Sequence, residues 1–166
     1  MPKKTEKNLA YAFAAESKAA VRNAAFAQKA EKENLSQIAH LFRAISEAEL
    51  VHAKRFLDLM QGKIGSTEEN LETAFNNEIK ANVDEYPALV RDAIEEEMEA
   101  AVKVFSYARD VEAGHAELYK NAINAMFSDR HTNYYVCQVC GYVSDGSAPE
   151  KCPVCGAARS SFKKVE

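Results

Sequence analysis

From Glu6 to Phe127 apolar residues return at steps of three and four, set among Glu, Lys and Gln, and a single proline interrupts the run. Residues at that spacing share one face of a helix, so the whole stretch reads as amphipathic helix. Breaks fall at 33–36, at QGKIGST (61–67) and at 95–99. Ser66 and Glu69, at the second break, have the spacing of a capping box. The pattern predicts four helices, at 5–33, 36–61, 67–95 and 98–127. Pro87 falls inside the third, where its missing N–H predicts a kink.

Beyond residue 127 the periodicity stops. A polar linker, SDRHTN, leads into YYVCQVCGYVSDGSAPEKCPVCG, rich in glycine, turn residues and cysteine. The expected division is a helical domain over 1–130 and a small cysteine domain over 131–166. A chain of 166 residues suits one sizeable core with an appendage. With 21 Lys and Arg against 25 Asp and Glu, and no basic stretch interleaved with aromatics, nucleic acid is not an expected partner. The charged opening MPKKTEKNLA and the short uncharged run Leu9 to Ala15 predict no membrane span. All four cysteines form two CxxC pairs, which suits metal binding in a reducing compartment, so a cytoplasmic protein is expected.

The helices contain a repeat. Glu16 is followed 33 residues later by Glu49 and then His52, and Glu78 is followed 34 residues later by Glu112 and then His115. Phe42 and Phe105 each precede the ExxH glutamate by seven residues, as if one helical hairpin had been copied. Residues three apart project from one helical face, so each ExxH offers an oxygen and a nitrogen to one ion. A lone ExxH is usually a solvated surface pair, but two in matching positions of a repeat are not explained that way. Glu16 and Glu78 lie beside apolar or small residues, Phe13 and Ala20 for the first, Phe75 and Ala74 for the second. Four carboxylates on apolar faces need cations to balance them. One Glu from each of two helices with ExxH from each of the other two is the donor set of ferritin-like di-iron and di-manganese proteins.

Cys137-x2-Cys140 and Cys152-x2-Cys155, eleven residues apart, supply four thiolates at tetrahedral spacing. Gly141 and Gly156 follow the pairs and permit the tight knuckle that turns backbone N–H groups toward sulfur. Spacing alone does not separate one iron ion from zinc.

Through Glu16, EAELVH ending at His52, Glu78, EYP at Glu85 to Pro87, VEAGH ending at His115, and the pair CQVCGY and CPVCG, the whole chain resembles the rubrerythrins. The resemblance implies an all-α, ferritin-like four-helix bundle with a small C-terminal rubredoxin-like metal-binding domain. It implies two iron ions in the bundle and one iron (or zinc) at the four cysteines. Hydrogen peroxide is then the substrate, reduced to water in oxidative stress defence, with electrons arriving from rubredoxin or an NAD(P)H-dependent reductase. Glu49 and Glu112 become bridging ligands, His52 and His115 terminal ones, and Tyr86 joins the six bundle ligands as a catalytic residue. Two positions depart from the family pattern. Ala81 stands where a further glutamate is usual, and Asn23 where a tyrosine is common. In the family that glutamate and the first histidine exchange places on one iron as the oxidation state changes, and the resemblance implies that this exchange cannot run with Ala81.

Two other functions fit the same residues. The bundle can oxidise ferrous iron and pass it on, or the chain can be a non-catalytic metal-binding protein with zinc in the cysteine site. His40 and His131 lie outside the repeat and receive no role. A homodimer is expected, either with hairpins exchanged between the chains or with each chain closing its own all-antiparallel bundle, which the short connector also allows. If a two-fold axis relates the hairpins, the second and third helices run parallel and their connection must cross roughly 30 Å, where the six residues 62–67 reach only about 20 Å.

Overall fold

Helix α1 (Lys3–Lys32) and helix α2 (Ser36–Leu59) form the first of two units into which the chain divides, a unit that ends at Gly65. The computed structural model describes residues 2–128 and 131–166. The α1–α2 contact is made of small side chains: Ala20, Ala27, Ala30, Ala39 and Ala53 are all buried. Ser46 Oγ donates to the Ala20 carbonyl at 2.9 Å, and Phe26 meets Phe42 edge to face at 5.4 Å. Larger apolar residues lie elsewhere on the hairpin, with Leu41 and Val51 still 55% and 54% exposed.

The second unit begins at Ser66 and holds α3 (Thr67–Lys80), a π-helical turn (Ala81–Glu85), α4 (Tyr86–Glu95), α5 (Glu99–Asn124) and a three-stranded antiparallel sheet. Ser66 caps α3 as its spacing predicts. Its hydroxyl accepts from Glu69 N–H at 3.2 Å, and the Glu69 carboxylate accepts from Ser66 N–H at 2.7 Å. Replacing Ser66 by alanine is expected to cost about 1 kcal/mol, measured by denaturant unfolding of the metal-loaded protein.

The two helix–helix turns are copies in backbone as well as sequence. Asn34 (φ 60) and Glu97 (φ 56) are left-handed, and the next N–H reaches back to the last helical turn, Leu35 to Ala30 O and Met98 to Ala93 O, each at 2.9 Å. This is the Schellman closure, completed by an apolar residue after the left-handed one.

The expected kink at Pro87 takes another form. Proline has no N–H and its ring collides with the carbonyl four residues back, so the ladder shifts ahead of it. Tyr86 N–H bonds to Ala81 O, five residues back, and the helix continues through a π turn. Such a turn accommodates one extra residue. The repeat contains that residue: Glu16 lies 18 positions before Asn34, and Glu78 lies 19 before Glu97.

The sheet has order β2-β1-β3, from β1 (Tyr134–Cys137), β2 (Val143–Asp145) and β3 (Phe162–Val165). The boundary expected at 130/131 falls against residues 129–130, which lie outside the described residues. No helix among the described residues is long and apolar enough to cross a membrane.

Candidate metal centres

Each hairpin assembles one three-residue cluster. Glu16 on α1 meets Glu49 and His52 on α2, and Glu78 on α3 meets Glu112 and His115 on α5, with the donor atoms of each set within 4.8 Å of one another. In both, the imidazole Nδ1 faces the ExxH glutamate, at 3.0 Å for His52 and Glu49 and 3.1 Å for His115 and Glu112. Glu78 Oε1 is 4.0 Å from the same His115 nitrogen. Helical periodicity produces this arrangement, since the i and i+3 side chains stand one turn apart on a common face.

The electrostatics of the second cluster call for a cation. Burial, then the hydrogen bond and charge of Glu112, push the Glu78 carboxyl up to about 7. His115 Nε2 lies 3.2 Å from the Gly141 carbonyl oxygen, which only accepts, so Nε2 is the donor of this bond. Nδ1, facing Glu112 and Glu78, is the ring nitrogen left to bind a metal ion beside the two carboxylates. The donor set therefore fits a metal ion. His115 is 24% exposed and His52 55%, so the second cluster is the more enclosed.

Tyr86, at the end of the π turn, is near this cluster. Its phenol is raised above the ordinary tyrosine value by burial first, then by the charges of Glu112, Glu78 and Glu85. Glu85 itself is engaged by Lys80 at 2.6 Å across the π turn. Ala81 carries no donor. Asn23 Nδ2 donates to its own helix, at the Ala19 carbonyl 3.0 Å away. His40 and His131 belong to neither cluster.

Cys137, Cys140, Cys152 and Cys155 form the third cluster. The Cys137–Cys155 and Cys140–Cys152 sulfurs are 3.7 and 3.5 Å apart. A tetrahedral ion with bonds of about 2.3 Å has sulfur edges of roughly 3.8 Å, so the cage needs almost no movement to close on one. The two knuckles match: Gly141 N–H bonds to Cys137 O and Gly156 N–H to Cys152 O, each at 2.9 Å, with φ of +86° and +75° at the glycines. Burial pushes the Cys140 thiol up, opposed by the N–H of Tyr142. Burial also acts on Cys152, but N–H groups of Cys155 and Val154 prevail and hold it below the ordinary thiol value. These amides are the donors that a metal-bound thiolate uses.

A sequence-family model described as Rubrerythrin matches residues 7–123, and one described as the rubrerythrin rubredoxin-like domain matches 135–163. The chain belongs to the rubrerythrin family. Among curated relatives, nigerythrin of Nitratidesulfovibrio vulgaris is 34% identical over 95% of this chain and 85% of its own length. A rubrerythrin of Porphyromonas gingivalis is 35% identical over 98% of this chain and 90% of its own. A solved nigerythrin structure in a mixed-valence state matches with a TM-score of 0.59 at 34% identity, covering 97% of this chain and 86% of that one. The fold class is that of the family, helical with a small C-terminal domain of strands around four cysteines.

Sequence reasoning missed the Gly141 carbonyl as a partner of His115. The contact joins residues 26 apart in two differently patterned segments, and no periodicity signals it.

Proposed function

We propose that this rubrerythrin is a non-haem di-iron peroxidase that reduces hydrogen peroxide to two waters with two electrons and two protons. In this reading Glu16, Glu49, His52, Glu78, Glu112 and His115 hold two irons, and the four cysteines hold a third. Bound there, the two bundle irons would supply the electron pair for O–O cleavage, and an iron at the four cysteines would supply single electrons. A homologous nigerythrin is described as all ferrous when fully reduced, which supports iron at these positions.

The observation that carries the reading is the hydrogen bond from His115 to Gly141. Gly141 follows Cys140 directly, so one peptide and one hydrogen bond connect a thiolate of the cysteine cage with a histidine of the bundle cluster. Both belong to the second unit, which holds this contact within one chain. Val111 Cγ1, 3.9 Å from where a Gly141 Cβ would stand, backs the same contact. Tyr86, with its raised pKa, keeps the Oη proton through the neutral range and offers an O–H donor beside Glu112 and Glu78.

The test uses protein loaded with iron at all sites and reduced without oxygen. Mixing with peroxide should oxidise both iron signals in sequence, and adding reductant should restore them over repeated cycles with the metal retained. If neither signal responds on a turnover timescale, the peroxidase reading fails. If the bundle empties on oxidation, iron handling replaces it.

Ala81 lies three residues beyond Glu78 and so on the same helical face, and it leaves both clusters with equal ligand sets. His52 would then remain the nitrogen ligand of its cluster in both oxidation states. Ala81→Glu adds an anionic donor that favours the ferric ions, and it is expected to lower the bundle reduction potential in a redox titration. An unchanged potential would show that this position does not reach the metals.

A further inference from the structure

The two hairpins share a second polar feature besides their metal donors. In the first, Ser46 Oγ on α2 donates to the Ala20 carbonyl of α1 at 2.9 Å. In the second, Asn82 Nδ2 in the π turn donates to the Arg109 carbonyl of α5 at 2.6 Å. Ala20 and Asn82 each follow the lone glutamate of their hairpin by four residues, and Ser46 and Arg109 each precede the ExxH glutamate by three. The two bonds therefore occupy the same place in both copies, one turn from the carboxylates. In one copy the donor stands on the ExxH helix, and in the other it stands on the line of the lone glutamate. What recurs is the cross-link itself, made by different residues in opposite directions.

Apolar contact fixes how near two helices lie but not how far one has slid along the other, because it has no direction. A hydrogen bond has one: a slide of about 1 Å takes a bond of this length past its limit. A carbonyl inside a helix accepts the N–H four residues on, and its second lone pair is free for a side chain. Each cluster needs this register, since its lone glutamate comes from one helix and its ExxH pair from another. Ligand constellations of this kind have to be held within about 0.5 Å. The second hairpin has the harder task, because the π turn adds a residue to one line and none to α5. Pro87 sets where the ladder shifts, but not which residue of α5 the turn faces. Lys80 and Glu85 close the exposed side of the turn at 2.6 Å, and Asn82 ties it to α5.

We infer that Asn82 and Ser46 are positioning residues for the two metal clusters, each fixing its hairpin at the register that brings the lone glutamate to its ExxH pair. Neither residue belongs to the donor sets, so Asn82 acts through Glu78 and Ser46 through Glu16. Losing either bond removes no ligand and no charge. The sites should still fill, but more weakly and with altered geometry. The inference rests on the reading that both clusters hold metal ions, and not on peroxide chemistry.

The test uses the full chain with zinc in the cysteine cage and cobalt(II) in the bundle, where the d–d absorption reports ligand geometry and a competing chelator reports affinity. Asn82→Ala and Ser46→Ala should each weaken bundle binding about tenfold and shift the cobalt bands, with both ions still bound at saturation. Asn82→Leu, of similar size to asparagine but without a donor, should match Asn82→Ala. Ser46→Thr keeps the hydroxyl and should recover most of what Ser46→Ala loses. The helix-cap variant Ser66→Ala is the control for lost stability: its unfolding midpoint should fall while cobalt affinity and bands stay as in the wild type. Wild-type affinity and bands in both Asn82 variants would overturn the positioning role. An equal loss of affinity in Ser66→Ala, or no recovery in Ser46→Thr, would overturn it as well. A wild-type chain that takes up no cobalt in the bundle would instead overturn the metal-site reading beneath it.

Discussion

Glu112→Ala is expected to remove both bundle metals and leave the cysteine site fully loaded. The Glu112 carboxylate is 3.1 Å from His115 Nδ1 and close enough to Glu78 to raise its pKa by hydrogen bond and charge. It therefore sits between the other two donors of its cluster. In the bridging role that the family implies, it also serves the second ion, so its loss leaves each ion under-coordinated and removes one of the four charges that balance them. Glu49→Ala acts in the same way from the other cluster, where its carboxylate is 3.0 Å from His52 Nδ1. Metal analysis after dialysis should fall from three ions per chain to one, with the thiolate absorption unchanged as an internal reference. Either variant retaining two bundle metals would remove the bridging assignment.

The parts legible in the sequence were those written in a period or a fixed spacing. The ExxH pairs, the capping box at Ser66 and the two CxxC knuckles depend on residues a turn apart or less, and the structure builds each with the geometry its spacing dictates. The π turn was half legible. Its trace was the mismatch of 33 against 34 residues between paired glutamates, but a one-residue insertion in a helix can become a π turn, a loop residue or a phase shift. Pro87 decides among these, because it blocks the ordinary ladder at that point. The left-handed Glu97 was not legible, since glutamate carries no preference for that conformation and only its alignment with Asn34 reveals it. The contact of His115 with Gly141 was not legible either, because it depends on how a strand-built module lies on a helix.

The largest expected effect on assembly concerns which chain completes each di-iron site, and here the connector between α2 and α3 decides. Helix α2 ends at Leu59, seven residues beyond His52, and α3 starts at Thr67, eleven before Glu78. If α2 and α3 run parallel, as a two-fold relation between the copied hairpins requires, the connector must return about 27 Å at 1.5 Å per residue. Seven residues in full extension reach only about 24 Å. These are not extended: Lys63 N–H bonds to Met60 O at 3.3 Å, Gly62 has φ of +70°, and the turn shortens the reach further. The hairpin also leaves Leu41 and Val51 more than half exposed, and its buried side chains are all alanines, as for a half-core awaiting its other half. We therefore expect a swapped homodimer in which Glu16, Glu49 and His52 of one chain share two irons with Glu78, Glu112 and His115 of the other. The deciding experiment mixes a Glu16→Ala, Glu49→Ala chain with a Glu78→Ala, Glu112→Ala chain during refolding. Neither binds bundle metal alone, but each swapped heterodimer contains one site with all six ligands, so random pairing should restore roughly a quarter of the wild-type bundle metal. If each chain closes its own bundle, every site lacks two carboxylates and no bundle metal returns, although the cysteine sites fill as before.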